Sequence, residues 1–181
     1  MPKVLIPLAE GFEEIEAVTV IDLLRRADIE VVVAGLEDGP VTASRGTRVL
    51  PDTTLDAALA SDYDMLVLPG GPGAAQLGED ARIAQVLTKI VESGKFAGAI
   101  CAAPKVLADR GVLTGRRATG YPGFIDQGNY DLTYTGAPVE IDGRIVTSRG
   151  PGTAMDFGLA LIEQLLGAET RQNVEARLVR T

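Results

Sequence analysis

The chain has 181 residues, 46% of them hydrophobic but only 4% aromatic, and a formal charge of -8. That length suits a single domain over residues 1–181, and the acidic balance argues against a nucleic-acid surface, which needs a basic patch. One cysteine and no histidine exclude a disulfide framework, a Cys-His or Ser-His dyad and a structural zinc site.

In chain order, "KVLIPL" (3–8) is a short apolar run and reads as a buried strand. The segment 13–27 has helical period and ends in Arg25 and Arg26, which suit a helix C-terminus. "EVVVAGL" (30–36), "MLVLP" (65–69) and "FAGAI" (96–100) are further buried strands, with a helix over Ala81–Glu92 before the last. Residues 139–148 read as a hairpin turning at Asp142-Gly143 in a type I′ turn. A helix over 153–167 closes at Gly167. Repeated β-α-β units imply an α/β fold, a doubly wound, mostly parallel sheet between helical layers. No apolar run approaches the ~18 residues of a membrane span. The opening "MPKVLIPL" is too quickly interrupted for a secretory signal, so a reducing, cytoplasmic setting is expected.

In such a sheet, ligands bind beyond the carboxyl ends of the strands. "AEGFEE" (9–14), "PGGPG" (69–73) and "CAAP" (101–104) belong there. "PGGPG" fails as a phosphate loop, because Gln76 stands where a third glycine belongs and Pro72 has no amide donor. Gly70 and Gly71 instead let bare backbone approach a reacting atom and offer an N–H.

The cysteine sits in "AGAICAAPKVL" (97–107), where an apolar strand turns into a short helix. A residue at that corner has the geometry of a nucleophile elbow, with free helix N–H groups beneath it that lower a thiol pKa. The bland alternative is a small buried hydrophobe. Glu16 extends the apolar stripe of Val20, Leu23 and Leu24 on a helix that starts at the same sheet edge. An ionised carboxylate beside a thiolate repels it, so the pair is coherent only with the proton on Glu16. We therefore expect Cys101 to titrate below the ordinary thiol range and Glu16 above the ordinary carboxylate range.

Together, "GFEEIEAV" (11–18), "VLPGGPGA" (67–74), "AICAAP" (99–104) and "TSRGPGTAMDFGLALIE" (147–163) resemble the DJ-1 branch of the ThiJ/PfpI superfamily, in the family's order and over nearly the whole chain. The resemblance implies a flavodoxin-like fold, Cys101 as a reactive nucleophile and Glu16 as its protonated partner. It implies Gly71 and Ala102 as backbone N–H donors of an oxyanion pocket, with Gly70, Tyr121, Arg45 and Arg149 at the pocket wall or the edge of a homodimer. Neither metal nor cofactor is implied. Where many members carry a histidine, this chain reads "TGYP" (119–122), which places Tyr121 there, as in the similar bacterial YajL-type members. Cys-His-Glu proteolysis is thereby out of reach.

Two function classes stay open on the sequence. The resemblance implies a glyoxalase- or deglycase-like enzyme, in which Cys101 adds to small carbonyl substrates such as methylglyoxal or glyoxal, or to glycated amino groups. The alternative is a redox-responsive stress protein or chaperone that signals through oxidation of Cys101.

Overall fold

A computed structural model describes residues 1–180. In chain order its strands are β1 (Lys3–Leu8), β2 (Glu30–Gly35), β3 (Val41–Thr42), β4 (Arg48–Val49), β5 (Thr53–Thr54), β6 (Met65–Leu68), β7 (Phe96–Ile100), β8 (Arg117–Ala118), β9 (Thr133–Tyr134), β10 (Val139–Asp142) and β11 (Ile145–Ser148). Its helices are α1 (Glu14–Arg26), α2 (Leu55–Ala58), α3 (Gly73–Glu79), α4 (Ala81–Glu92), α5 (Pro104–Asp109), α6 (Ala154–Leu166) and α7 (Ala168–Ala176).

The strand expectations at 3–8 and 96–100 hold to the residue, and those at 30–36 and 65–69 each end one residue early. These runs pair into one sheet of order β10-β11-β7-β6-β1-β2-β5, parallel except for the β10–β11 hairpin. Side chains alternate across a strand. Val4, Ile6 and Leu8 of β1 accordingly join Leu23, Leu24 and Phe157 on one face, whereas Leu5 joins Leu66, Leu77 and Leu87 on the other. Burial on both faces explains why the strands read as unbroken apolar runs. The α1 stripe is buried as the periodicity predicts, Glu16 included.

One local expectation needs correction. Asp142 pairs with Ile145, so the hairpin turns at Gly143-Arg144. Of those two only Gly143 has positive φ, at 60°, whereas a type I′ turn needs it at both central residues. The segment after "PGGPG", which carries no assignment from the sequence, is helical, since α3 begins at Gly73. Its seven residues are too short to show a clear helical period. No helix among the described residues is long and apolar enough to cross a membrane.

From β1 the chain winds outward to β2 on one side, then returns to build β6 and β7 on the other. The resulting switch point opens a crevice at the carboxyl ends of β1 and β6, where α/β sheets hold ligands. The loops after β1, β6 and β7 meet there.

Candidate active site

Cys101 follows β7 directly and has φ of 65°. A non-glycine residue in this left-handed region is strained, and such strain persists only where the surroundings over-determine it. Here the backbone is pinned on both sides. Its N–H donates to the Ser148 carbonyl at 3.0 Å, and its own carbonyl accepts the Tyr121 N–H at 2.8 Å. The elbow is thus tied to the neighbouring strand β11 and to the loop that follows β8.

The helix of the elbow does not start where the sequence suggests. Residues 101–103 form turns, and α5 begins only at Pro104 and runs six residues. The polar hydrogens beside the sulfur are therefore backbone N–H groups of Gly71 and Ala102, which favour the thiolate. These are the two donors that the family resemblance implies.

Gly70 joins this elbow to α1. Its N–H donates to Glu16 Oε2 at 2.8 Å, and its carbonyl accepts the Glu13 N–H at 3.0 Å. A methyl group at Gly70 would lie 2.6 Å from Cys101 Cβ, 2.6 Å from Glu16 Oε2 and 2.8 Å from the Ile100 carbonyl. Only a residue without Cβ lets carboxyl and thiol approach so closely. Gly71 has φ of 82°, and a Cβ there would meet Gly11 O at 2.6 Å.

Glu16 is 0% exposed, and its Oε1 has no hydrogen-bonding partner among the described residues. Burial pushes its carboxyl up to about 7, against the thiol and Gly70 hydrogen bonds that pull it down, and the Glu13 charge adds to the rise. The expectation of a raised Glu16 therefore holds.

The expectation of a lowered thiol does not. Cys101 is 8% exposed, and burial, followed by the charge and hydrogen bonding of ionised Glu16, pushes it up to about 12. The Gly71 and Ala102 donors only partly offset this. Two of the three raising causes come from Glu16 in its charged form, so they vanish when the proton resides on the carboxyl. A thiolate here is tied to the proton state of Glu16 rather than to a helix N-terminus.

The sulfur opens into a cleft of about 520 Å³ that runs between α3, α5 and the loop carrying Tyr121. Tyr121 lines it, as the resemblance implies for the pocket wall, and stands edge-on to Phe124 with ring centroids 6.4 Å apart. Gly70 is buried and does not line the cleft. Arg45 and Arg149 are not among the residues that line the cleft. The backbone N–H of Arg45 donates to Glu14 Oε1 at 3.0 Å, and Arg149 Nη1 donates to the Gly136 carbonyl at 3.0 Å.

Sequence reasoning missed Ser148, whose carbonyl orients the Cys101 backbone and whose hydroxyl shares a hydrogen with Thr153 at 2.7 Å. It also missed Lys105 and Asp109, an ion pair at 2.6 Å on the cleft side of α5. Their i,i+4 spacing was a readable signal.

A profile described as the DJ-1/PfpI family matches residues 2–164. The chain belongs to the DJ-1/PfpI family. Drosophila melanogaster protein dj-1beta is 42% identical over 179 residues, covering 97% of this chain and 95% of the relative. Arabidopsis thaliana DJ-1 homolog B is 42% identical over 171 residues, 93% of this chain but only 39% of that longer relative. A Caenorhabditis elegans relative named glutathione-independent glyoxalase DJR-1.2 is 38% identical over 162 residues, 88% of this chain and 86% of the relative. Among solved structures, oxidized Toxoplasma gondii DJ-1 superposes with a TM-score of 0.94 at 42% identity, covering 99% of this chain and 98% of that one. The flavodoxin-like expectation for this DJ-1/PfpI-family fold is thereby borne out.

Proposed function

We propose that this protein is a cysteine-dependent enzyme acting on reactive 2-oxoaldehydes or their adducts on amino groups. The carrying observation is the unpartnered, fully buried Glu16 Oε1 beside a strained Cys101 that faces a cleft. The nematode relative named a glyoxalase supports the same reading. In the reaction, ionised Glu16 takes the Cys101 S–H proton as the sulfur attacks the aldehyde carbon, and a hemithioacetal forms. The oxygen that gains charge accepts N–H bonds from Gly71 and Ala102. A carboxyl near pH 7 is half protonated, so Glu16 can give a proton to that oxygen and take one from the adjacent carbon. Shifting that hydrogen to the second carbonyl carbon leaves a thioester, which water cleaves to a 2-hydroxy acid and free thiol.

Turnover of methylglyoxal and glyoxal by wild type, Cys101→Ser and Glu16→Gln tests the assignment. Loss of at least a hundredfold in both variants supports it, and full activity in Cys101→Ser overturns it.

A second reading follows from the oxidized relative. With one cysteine in the chain, oxidation of Cys101 cannot end in an internal disulfide, so a redox-responsive role would run through its sulfur acids. A single free thiol suits the reducing cytoplasm. We further place a second copy of the chain against α1, where Ile15 is 54% and Val18 45% exposed on the helix that carries Glu16.

A further inference from the structure

The cleft over Cys101 is much larger than methylglyoxal, a molecule of a handful of heavy atoms. At about 520 Å³ it falls within the ~300–1,000 Å³ of pockets that bury drug-sized ligands. Its walls away from the sulfur are apolar. Pro72 and Ala74 come from the β6–α3 side, Val106 from α5, and Phe124, a residue 38% exposed, from the loop after β8. An apolar face so near a nucleophile is the usual form of a pocket that reads a substrate's non-reacting end.

The charges at the mouth point the same way. Two carboxylates, Glu79 and Asp109, face one ammonium, Lys105. Lys105 Nζ is already 2.6 Å from Asp109 Oδ2, and the Tyr130 hydroxyl donates to the other oxygen of that carboxylate. The cation is thus satisfied locally, and Glu79 adds an exposed negative charge. Arg110 stands beside the same rim, its Nη2 donating to the Gly78 carbonyl at 2.9 Å, so two carboxylates and two cations balance there and offer an anionic substrate tail no net attraction.

From the cleft's size, lining and charge we propose that its substrate is a 2-oxoaldehyde with an uncharged, bulky apolar group, aryl or branched alkyl, seated against Val106 and Phe124. This deepens the enzyme reading above and rests on it. The bulky group adds binding far from the reacting carbon, whereas methylglyoxal leaves those walls empty. One to a few well-packed carbon groups are worth about tenfold or more in discrimination.

Two measurements test the proposal separately from the activity it rests on. The first needs no turnover: alkylation rates of Cys101 by iodoacetamide, N-benzyl-iodoacetamide and iodoacetate, each divided by its rate with N-acetylcysteine. The expected order is benzyl over plain amide by about tenfold, with iodoacetate slowest. The second compares kcat/KM for phenylglyoxal, methylglyoxal and glyoxylate in the same order. Phe124→Ala should cut both benzyl and phenyl preferences severalfold, and Phe124→Leu should restore much of them, which a merely structural role would not do. Equal normalised alkylation rates, or a preference for iodoacetate, overturn the proposal. Selective alkylation without any turnover overturns the enzyme reading alone and leaves the ligand class standing. Turnover that favours methylglyoxal or glyoxylate over phenylglyoxal overturns the proposal and leaves the enzyme reading intact.

Discussion

Replacing Glu16 with glutamine isolates the energetic cost of the buried carboxyl. The folded state raises this group from 4.5 to about 7, so between those values the folded protein binds more proton than the unfolded chain. Stability then falls as pH rises through the window. The penalty is absent below the unfolded value and complete above the folded one. At 1.36 kcal/mol per pH unit, the shift corresponds to about 3 kcal/mol at pH 8. Glutamine cannot ionise, yet its side-chain oxygen can still accept the Gly70 N–H that Glu16 Oε2 accepts at 2.8 Å. Its NH2 then points where Oε1 has no partner. Urea unfolding of both proteins at pH 5 and pH 8, at matched concentration, gives the comparison. Subtracting wild type from variant cancels the carboxylates common to both. Relative to wild type, Glu16→Gln should gain about 2–3 kcal/mol between pH 5 and pH 8. Wild-type Cys101 stays protonated across this range, and a lower thiol midpoint in the variant acts in the same direction at pH 8. Parallel pH profiles would refute the reasoning, because they would mean that Glu16 is solvated in the folded state. Thiolate absorbance offers a cross-check. Removing the carboxylate deletes two of the causes that raise Cys101, so its midpoint must fall in the variant.

Gly70→Ala inserts a methyl 2.6 Å from both Cys101 Cβ and Glu16 Oε2. Overpacking of this kind costs about 1–3 kcal/mol, and iodoacetamide labelling should show that the elbow, not just the fold, has shifted; unchanged labelling and stability would contradict the close approach. Mild peroxide should add two oxygens to Cys101, held by the Gly71 and Ala102 N–H groups and the Glu16 proton. Intact mass would reveal this, and a sulfur that stays unmodified would count against a reactive thiol. Sedimentation should report a dimer that Ile15→Glu or Val18→Glu weakens, whereas a wild-type monomer at micromolar concentration removes the α1 interface.

The long strands, and α1, α4 and α6 among the helices, were legible in the sequence because their signals are local, whereas the nine-residue α7 was not read. A parallel sheet buried on both faces demands unbroken apolar runs, and β1 and β7 declare themselves that way. The helical period of α1 likewise placed Glu16 on a buried stripe. The short pieces were not legible. The two-residue strands and α3 carry too few residues for a period, and partners distant in sequence hold them.

At the site the division is sharper. The corner position of Cys101 followed from a strand running into an apolar helix, and Gly70 and Gly71 marked a close backbone approach. What the cysteine feels there was decided by tertiary structure. The turn at 101–103 moved the helix N-terminus away, and burial together with Glu16 raised a thiol that the sequence pattern suggested was lowered. A pKa sums desolvation and charge over groups from β6, β7 and α1. Those groups become neighbours only when the sheet has formed, so no stretch of sequence contains the answer.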